Sequence, residues 1–132
     1  MERRHDWADQ MYKMIDAHKD SVFEWGVDDC CLFITRVIDA MTGSELELRL
    51  KQEYDDEQSG KRFIIACGGM TEAVSRFLGA PSDERAMRGD AVLFDVGDGE
   101  SVGIWDGRTI VGLAQNGLDQ LPRESIIKVW KI

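Results

Sequence analysis

Histidine is scarce in this chain: 132 residues carry two, His5 and His18. Any chemistry that needs an imidazole base must draw on one of them. Long apolar runs are missing as well. None approaches the roughly 20 residues of a membrane-spanning helix. The opening MERRHDWADQ is basic and then polar, without the apolar core of a signal peptide. The expectation is a protein kept in a reducing cytosol, with no membrane as partner. Nor does any basic stretch offset the acidic balance, 16 basic against 25 acidic residues and a net charge of −9. That argues against nucleic acid and against an anionic membrane surface. The three cysteines, Cys30, Cys31 and Cys67, are too few for a disulfide framework. With the two histidines they match no zinc spacing, so no metal and no other cofactor is expected.

What is present suits one domain with its own core. Residues 6–19 read as a helix, with Trp7, Met11, Met14 and Ile15 on one face. Residues 20–28 read as a loop carrying Phe23, Trp25 and Gly26. Residues 29–42 read as a second helix, with Asp29 as N-cap and Gly43 just past its end. Phe33, Val37 and Met41 form its stripe, flanked by Cys30, Ile34 and Ile38, which predicts a buried central helix. A short helix over 46–52, a turn at DDEQSG, and helices over 61–67 and 72–78 follow, the last capped by Thr71. From residue 89 the pattern alternates. Strands are predicted at 90–95, 101–105, 109–113 and 125–131, with hairpin turns at DVGDGE and at Asp106-Gly107. Helices followed by an antiparallel sheet make an α+β fold. The last strand, IIKVWKI, is apolar enough for a sheet edge that Lys128 and Lys131 would blunt.

The stretch 23-FEWGVDDCCLF-33 places Cys30 at a helix N-terminus, where backbone N–H groups favour a thiolate and can hold an oxyanion. It resembles the nucleophile motif of NlpC-type peptidases, through Trp25, Gly26, Asp29, Cys30 and Phe33. Cys31 and Leu32 stand where that family has Ser-Gly. Further on, 89-GDAVLFD-95 resembles its Gly-Asp-Leu-Val-Phe-Phe strand, and 101-SVGIWDG-107 its His-Val-Gly-Ile-Tyr-x-Gly strand. The three motifs in order are most similar to a branch of that superfamily found in tail gene clusters of tailed bacteriophages and prophages. The resemblance implies a papain-like fold, N-terminal helices packed on an antiparallel sheet or small barrel.

The departure lies at the base. The family's histidine position is Ser101, which has no usable basicity near neutral pH. The position of its orienting polar residue falls on Gly112 or Leu113. His5 and His18 lie in or near the first helix, so a base from there needs rearranged packing. Asp28, Asp29 and Asp90 would raise a nearby thiol's pKa; capping suits Asp29, and a turn or strand-start contact suits Asp90. Cys31 and Cys67 read as core residues, and Trp7, Trp105 and Trp130 as packing. Gln115 and Asn116 suit a turn, though they can also bind a polar ligand.

Three readings follow. The favoured one is a non-catalytic NlpC-like protein serving as a structural or assembly component of a phage tail, near the tip. It would be made in the bacterial host cytoplasm, with other tail proteins as partners. The second is a cysteine hydrolase in which Cys30 attacks peptidoglycan stem peptides. The third is a peptide- or small-molecule-binding module in the degenerate cleft, with Trp25, Gly26, Asp29 and Gln115 as candidate contacts. It requires open space around Cys30, Trp25 and Ser101.

Overall fold

The computed structural model describes residues 1–97 and 99–132. Asp98, within the predicted DVGDGE hairpin link, lies outside the described residues. Helices α1 (Trp7–Ala17), α2 (Cys30–Thr42), α3 (Leu46–Lys51), α4 (Glu57–Cys67) and α5 (Met70–Leu78) come first. Strands β1 (Ala91–Asp95), β2 (Glu100–Trp105), β3 (Ile110–Ala114), β4 (Gly117–Leu121) and β5 (Ile126–Trp130) follow, with a 3-10 turn at Arg123–Ser125 before the last. All strand pairs are antiparallel, in the order β4-β3-β2-β1-β5. The fold is α+β.

Helix α2 is the central element its composition predicts. Phe33, Val37, Ile38 and Met41 are fully buried. They pack against Leu93, Val102, Ile104 and Leu113 on one face of the sheet. Burying each such side chain contributes about 1.5–3 kcal/mol, so this interface dominates the helix's placement. Asp29 caps its start, and Gly43 ends it in the left-handed region at φ 77°.

The other face of the sheet holds a second cluster, Val92, Phe94, Trp105, Ile110 and Val129, joined by Leu121 and Ile126 from the two edge strands. Those edges are four residues apart in sequence, 122–125. A flat five-stranded sheet is about 19 Å wide. Five fully extended peptide steps reach about 18 Å, and a 3-10 turn shortens the link further. The sheet therefore curls around the second cluster. Its edge strands β4 and β5 share no ladder among the described residues, so it is a curled open sheet and not a closed barrel.

Four local expectations are corrected. DDEQSG is not only a turn: Asp56 caps α4, accepting from the Ser59 N–H while Ser59 reaches back, so the helix starts at Glu57. Thr71 does not cap α5, which begins at Met70 after Gly68 and Gly69, both at positive φ. Strand β4, GLDQL, was not expected; it forms an edge hairpin with β3 around the Gln115-Asn116 turn. Cys67 is half-exposed at the end of α4, where Arg76 donates to its sulfur at 3.4 Å, and is not a core residue.

Asp90 does far more than start a strand. Its carboxylate is fully buried. Oδ1 accepts from the Ile132 N–H at 3.0 Å and from Arg3 at 3.3 Å. Oδ2 accepts from the Met87 N–H at 2.8 Å and pairs with Lys131 Nζ at 2.5 Å. Lys131 is thus tied inward, while β5 pairs with β1 and its outer side meets Ser82.

Candidate functional site

Asp29 organises the ground behind Cys30. Its Oδ1 accepts from the Leu32 N–H at 2.8 Å. Its Oδ2 accepts from the Gly26 N–H at 3.0 Å and from the Tyr54 hydroxyl at 2.7 Å. One carboxylate therefore joins the helix start, the 24–28 loop and the segment after α3. Burial, with negative charge beside it, pushes the Tyr54 phenol far up, so it stays a hydrogen-bond donor. Gly26 is needed here. Its φ is 81°, and a Cβ would lie 2.2 Å from the Asp55 carbonyl oxygen. Asp29 and Gly26 thus shape the site from behind and do not line it.

Trp25 does line it. Its ring meets Phe23 and Tyr54 edge-on, at centroid distances of 5.9 and 6.2 Å. Gly60 leaves room for the indole, since a Cβ there would lie 2.6 Å from Trp25 Cε3. In front of this aromatic wall a cleft of about 290 Å³ opens. Cys30, Ser101, Met70, Phe94 and Leu113 line its inner part. Glu100, Asp119, Gln115 and Asn116 stand at its rim, all exposed. Met70, Phe94 and Asp119 carry no sequence signal as site residues. Asp119 sits on the strand that composition did not reveal.

Cys30 is 8 % exposed, at the first position of α2. A hydrogen bond with the Cys31 thiol holds its pKa below the ordinary thiol value, with smaller help from the Ser101 hydroxyl and the Val102 N–H. Burial and the Asp29 charge oppose this. Cys31 moves the other way, well above the ordinary value, because of the Cys30 thiol beside it and its own burial. The first proton therefore leaves the pair from Cys30, and its loss makes the second harder to remove. Cys31 does not line the cleft; its sulfur lies 3.7 Å from Met70 Sδ.

Neither histidine serves this thiol. His18 is 6 % exposed, with Nδ1 2.9 Å from the Met14 carbonyl oxygen. That contact requires the proton on Nδ1, which leaves Nε2 as acceptor for Arg36 at 3.2 Å. Arg36 is fixed in turn by Asp28, by Glu47 at 2.5 Å and by the Val27 carbonyl at 2.6 Å. The imidazole lone pair is committed to this network. His5 is exposed ahead of α1. Neither lines the cleft.

The chemistry follows from these positions. The Cys31 thiol beside Cys30, with smaller contributions from Ser101 and Val102, favours a thiolate there. Amide hydrolysis also needs a proton delivered to the leaving amine. Among the described cleft residues there is no histidine to supply it. Glu100 and Asp119 are exposed carboxylates at its rim. Among the described residues no three histidine, cysteine, aspartate or glutamate side chains converge on a metal-sized site. No helix is long and apolar enough to cross a membrane.

Residues 2–132 match the family model of a domain of unknown function, DUF6950, so the chain belongs to that family. No curated protein matches the chain.

Proposed function

We propose that this member of the DUF6950 family is a non-catalytic, NlpC-like domain with a papain-like ancestry, serving as a structural or assembly component of a bacteriophage or prophage tail. The observation that carries the non-catalytic part is that Ser101 lines the cleft with Cys30 while His18 is locked to Arg36. The nucleophile's position is kept and its base and proton donor are not. The helix-borne cysteine set beside β2 supports the papain-like reading. The tail context rests on the three motifs in sequence order.

The test is genetic. In a phage or prophage that encodes this chain, Cys30→Ala should leave the yield of infectious particles unchanged, while removal of the chain should abolish tailed particles. Loss of infectivity on Cys30→Ala, with the protein still folded, would support the hydrolase reading instead.

A second reading, a binding module, is favoured by the open cleft around Cys30, Trp25 and Ser101. It is compatible with the first: an assembly protein must hold a partner somewhere, and this cleft offers both apolar and polar lining.

A further inference from the structure

The sheet comes apart beside Cys30. Strand β2 is paired to β1 along its length, from Ile104 through Glu100. Strand β3 is paired to β4 along its length, from Ile110 through Ala114. Between β2 and β3, however, the described ladder consists of Trp105–Ile110 and Ile104–Val111 alone. Beyond that point the two hairpins diverge. Just before it, two glycines let β2 and β3 approach closely. A Cβ on Gly103 would lie 2.6 Å from the Val111 carbonyl oxygen, and one on Gly112 would lie 3.2 Å from the Phe94 ring.

Past these glycines, Glu100 and Ser101 of β2 and Leu113 and Ala114 of β3 line the cleft without a described ladder between them. An unpaired strand edge is a template for another strand. The apolar lining, Trp25, Met70 and Leu113, suits a side chain's hydrocarbon part. At the rim Glu100 and Asp119 come from the two diverging hairpins, and neither has an ion-pair partner among the described residues. A net charge of −9 adds to that field.

We propose that the gap between β2 and β3 receives an extended, lysine- or arginine-bearing segment of a partner polypeptide. The segment pairs its backbone with the free strand edges, lays an aliphatic stem against Trp25 and Met70, and places its cation between Glu100 and Asp119. This rests on the non-catalytic reading, since the segment is held and not cut. At about 290 Å³ the space suits one or two side chains of such a segment, at the lower limit of small-molecule pockets.

Two synthetic peptides test this with the full chain: acetyl-(Lys-Val)4-amide and acetyl-(Glu-Val)4-amide, titrated by calorimetry. The lysine peptide should bind and the glutamate peptide should not. The double change Glu100→Gln with Asp119→Asn, both on exposed side chains, should weaken the lysine peptide by about tenfold. Ser101→Trp, which fills the gap without altering charge, should abolish binding; its fold is checked by circular dichroism. Equal binding of both peptides, no binding below about 1 mM, or indifference to the double change would each overturn the proposal. Mass spectrometry of the recovered peptide separates the two readings. A bound, intact peptide supports both, a cleaved peptide overturns the non-catalytic reading, and an intact, unbound peptide overturns only the docking site.

Discussion

Asp90→Ala should lower the free energy of unfolding by about 3–5 kcal/mol and the melting temperature by roughly 15 °C. The carboxylate is fully buried and serves four partners: Arg3, Lys131 and the N–H groups of Met87 and Ile132. Removing it leaves two cations facing each other and two backbone donors unsatisfied. Arg3 has no good alternative, because its guanidinium is also fixed by the carbonyls of Ile132 and Arg88 and stacks on Trp7 at 4.1 Å. Burial already pulls its pKa down, and Asp90 is the group opposing that. Lys131→Met provides the contrast. The Lys131 side chain is 29 % exposed, so losing one half-screened ion pair should cost under about 1 kcal/mol. Chemical denaturation of both variants checks this. Equal losses would mean that Asp90 acts only through Lys131.

Asp29→Ala should cost about 3 kcal/mol, roughly 10 °C in melting temperature. Losing the cap on Leu32 accounts for about 1 kcal/mol. The remainder comes from the buried Tyr54 hydroxyl and the Gly26 N–H, which lose their acceptor. The effect should reach the cleft, because Gly26 and Tyr54 set the position of Trp25. A red shift of Trp25 emission, isolated in a variant whose other tryptophans are phenylalanine, should accompany the loss. Asp29→Asn, which keeps an acceptor for Leu32, should lose less. A destabilised Asp29→Ala protein with unchanged Trp25 emission would show a simple cap with no role in shaping the cleft.

The sequence made α2 and its surroundings legible because local rules and burial agree there. Asp29 caps, Gly43 ends, and the apolar stripe between them meets the sheet. The Asp106 turn was legible for a similar reason: its carboxylate accepts from the N–H groups of Arg108 and Thr109. Strand β4 was hidden because an edge strand with exposed Asp119 and Gln120 lacks clean alternation. The first turn of α4 was hidden because its Asp56–Ser59 box uses residues that also make turns.

The candidate site was legible in part. Cys30, Trp25 and Ser101 could be placed together from motif order, and Asp29 from its capping position. That Asp29 and Gly26 stand behind the cleft, and that Asp119 borders it, depends on contacts with Tyr54, Asp55 and a hairpin far along the chain. The commitment of His18 was equally out of reach, since its partner Arg36 comes from another helix and is itself held by Glu47 on a third.

The most direct test is cleavage of peptidoglycan stem peptides by the purified chain, followed by mass spectrometry alongside Cys30→Ala. No product above the Cys30→Ala background is predicted, even though Cys30 should alkylate with an inflection below the ordinary thiol range. Product formation by the wild-type chain that Cys30→Ala abolishes would show that a base and proton donor reach Cys30 after all, and would contradict the non-catalytic reading.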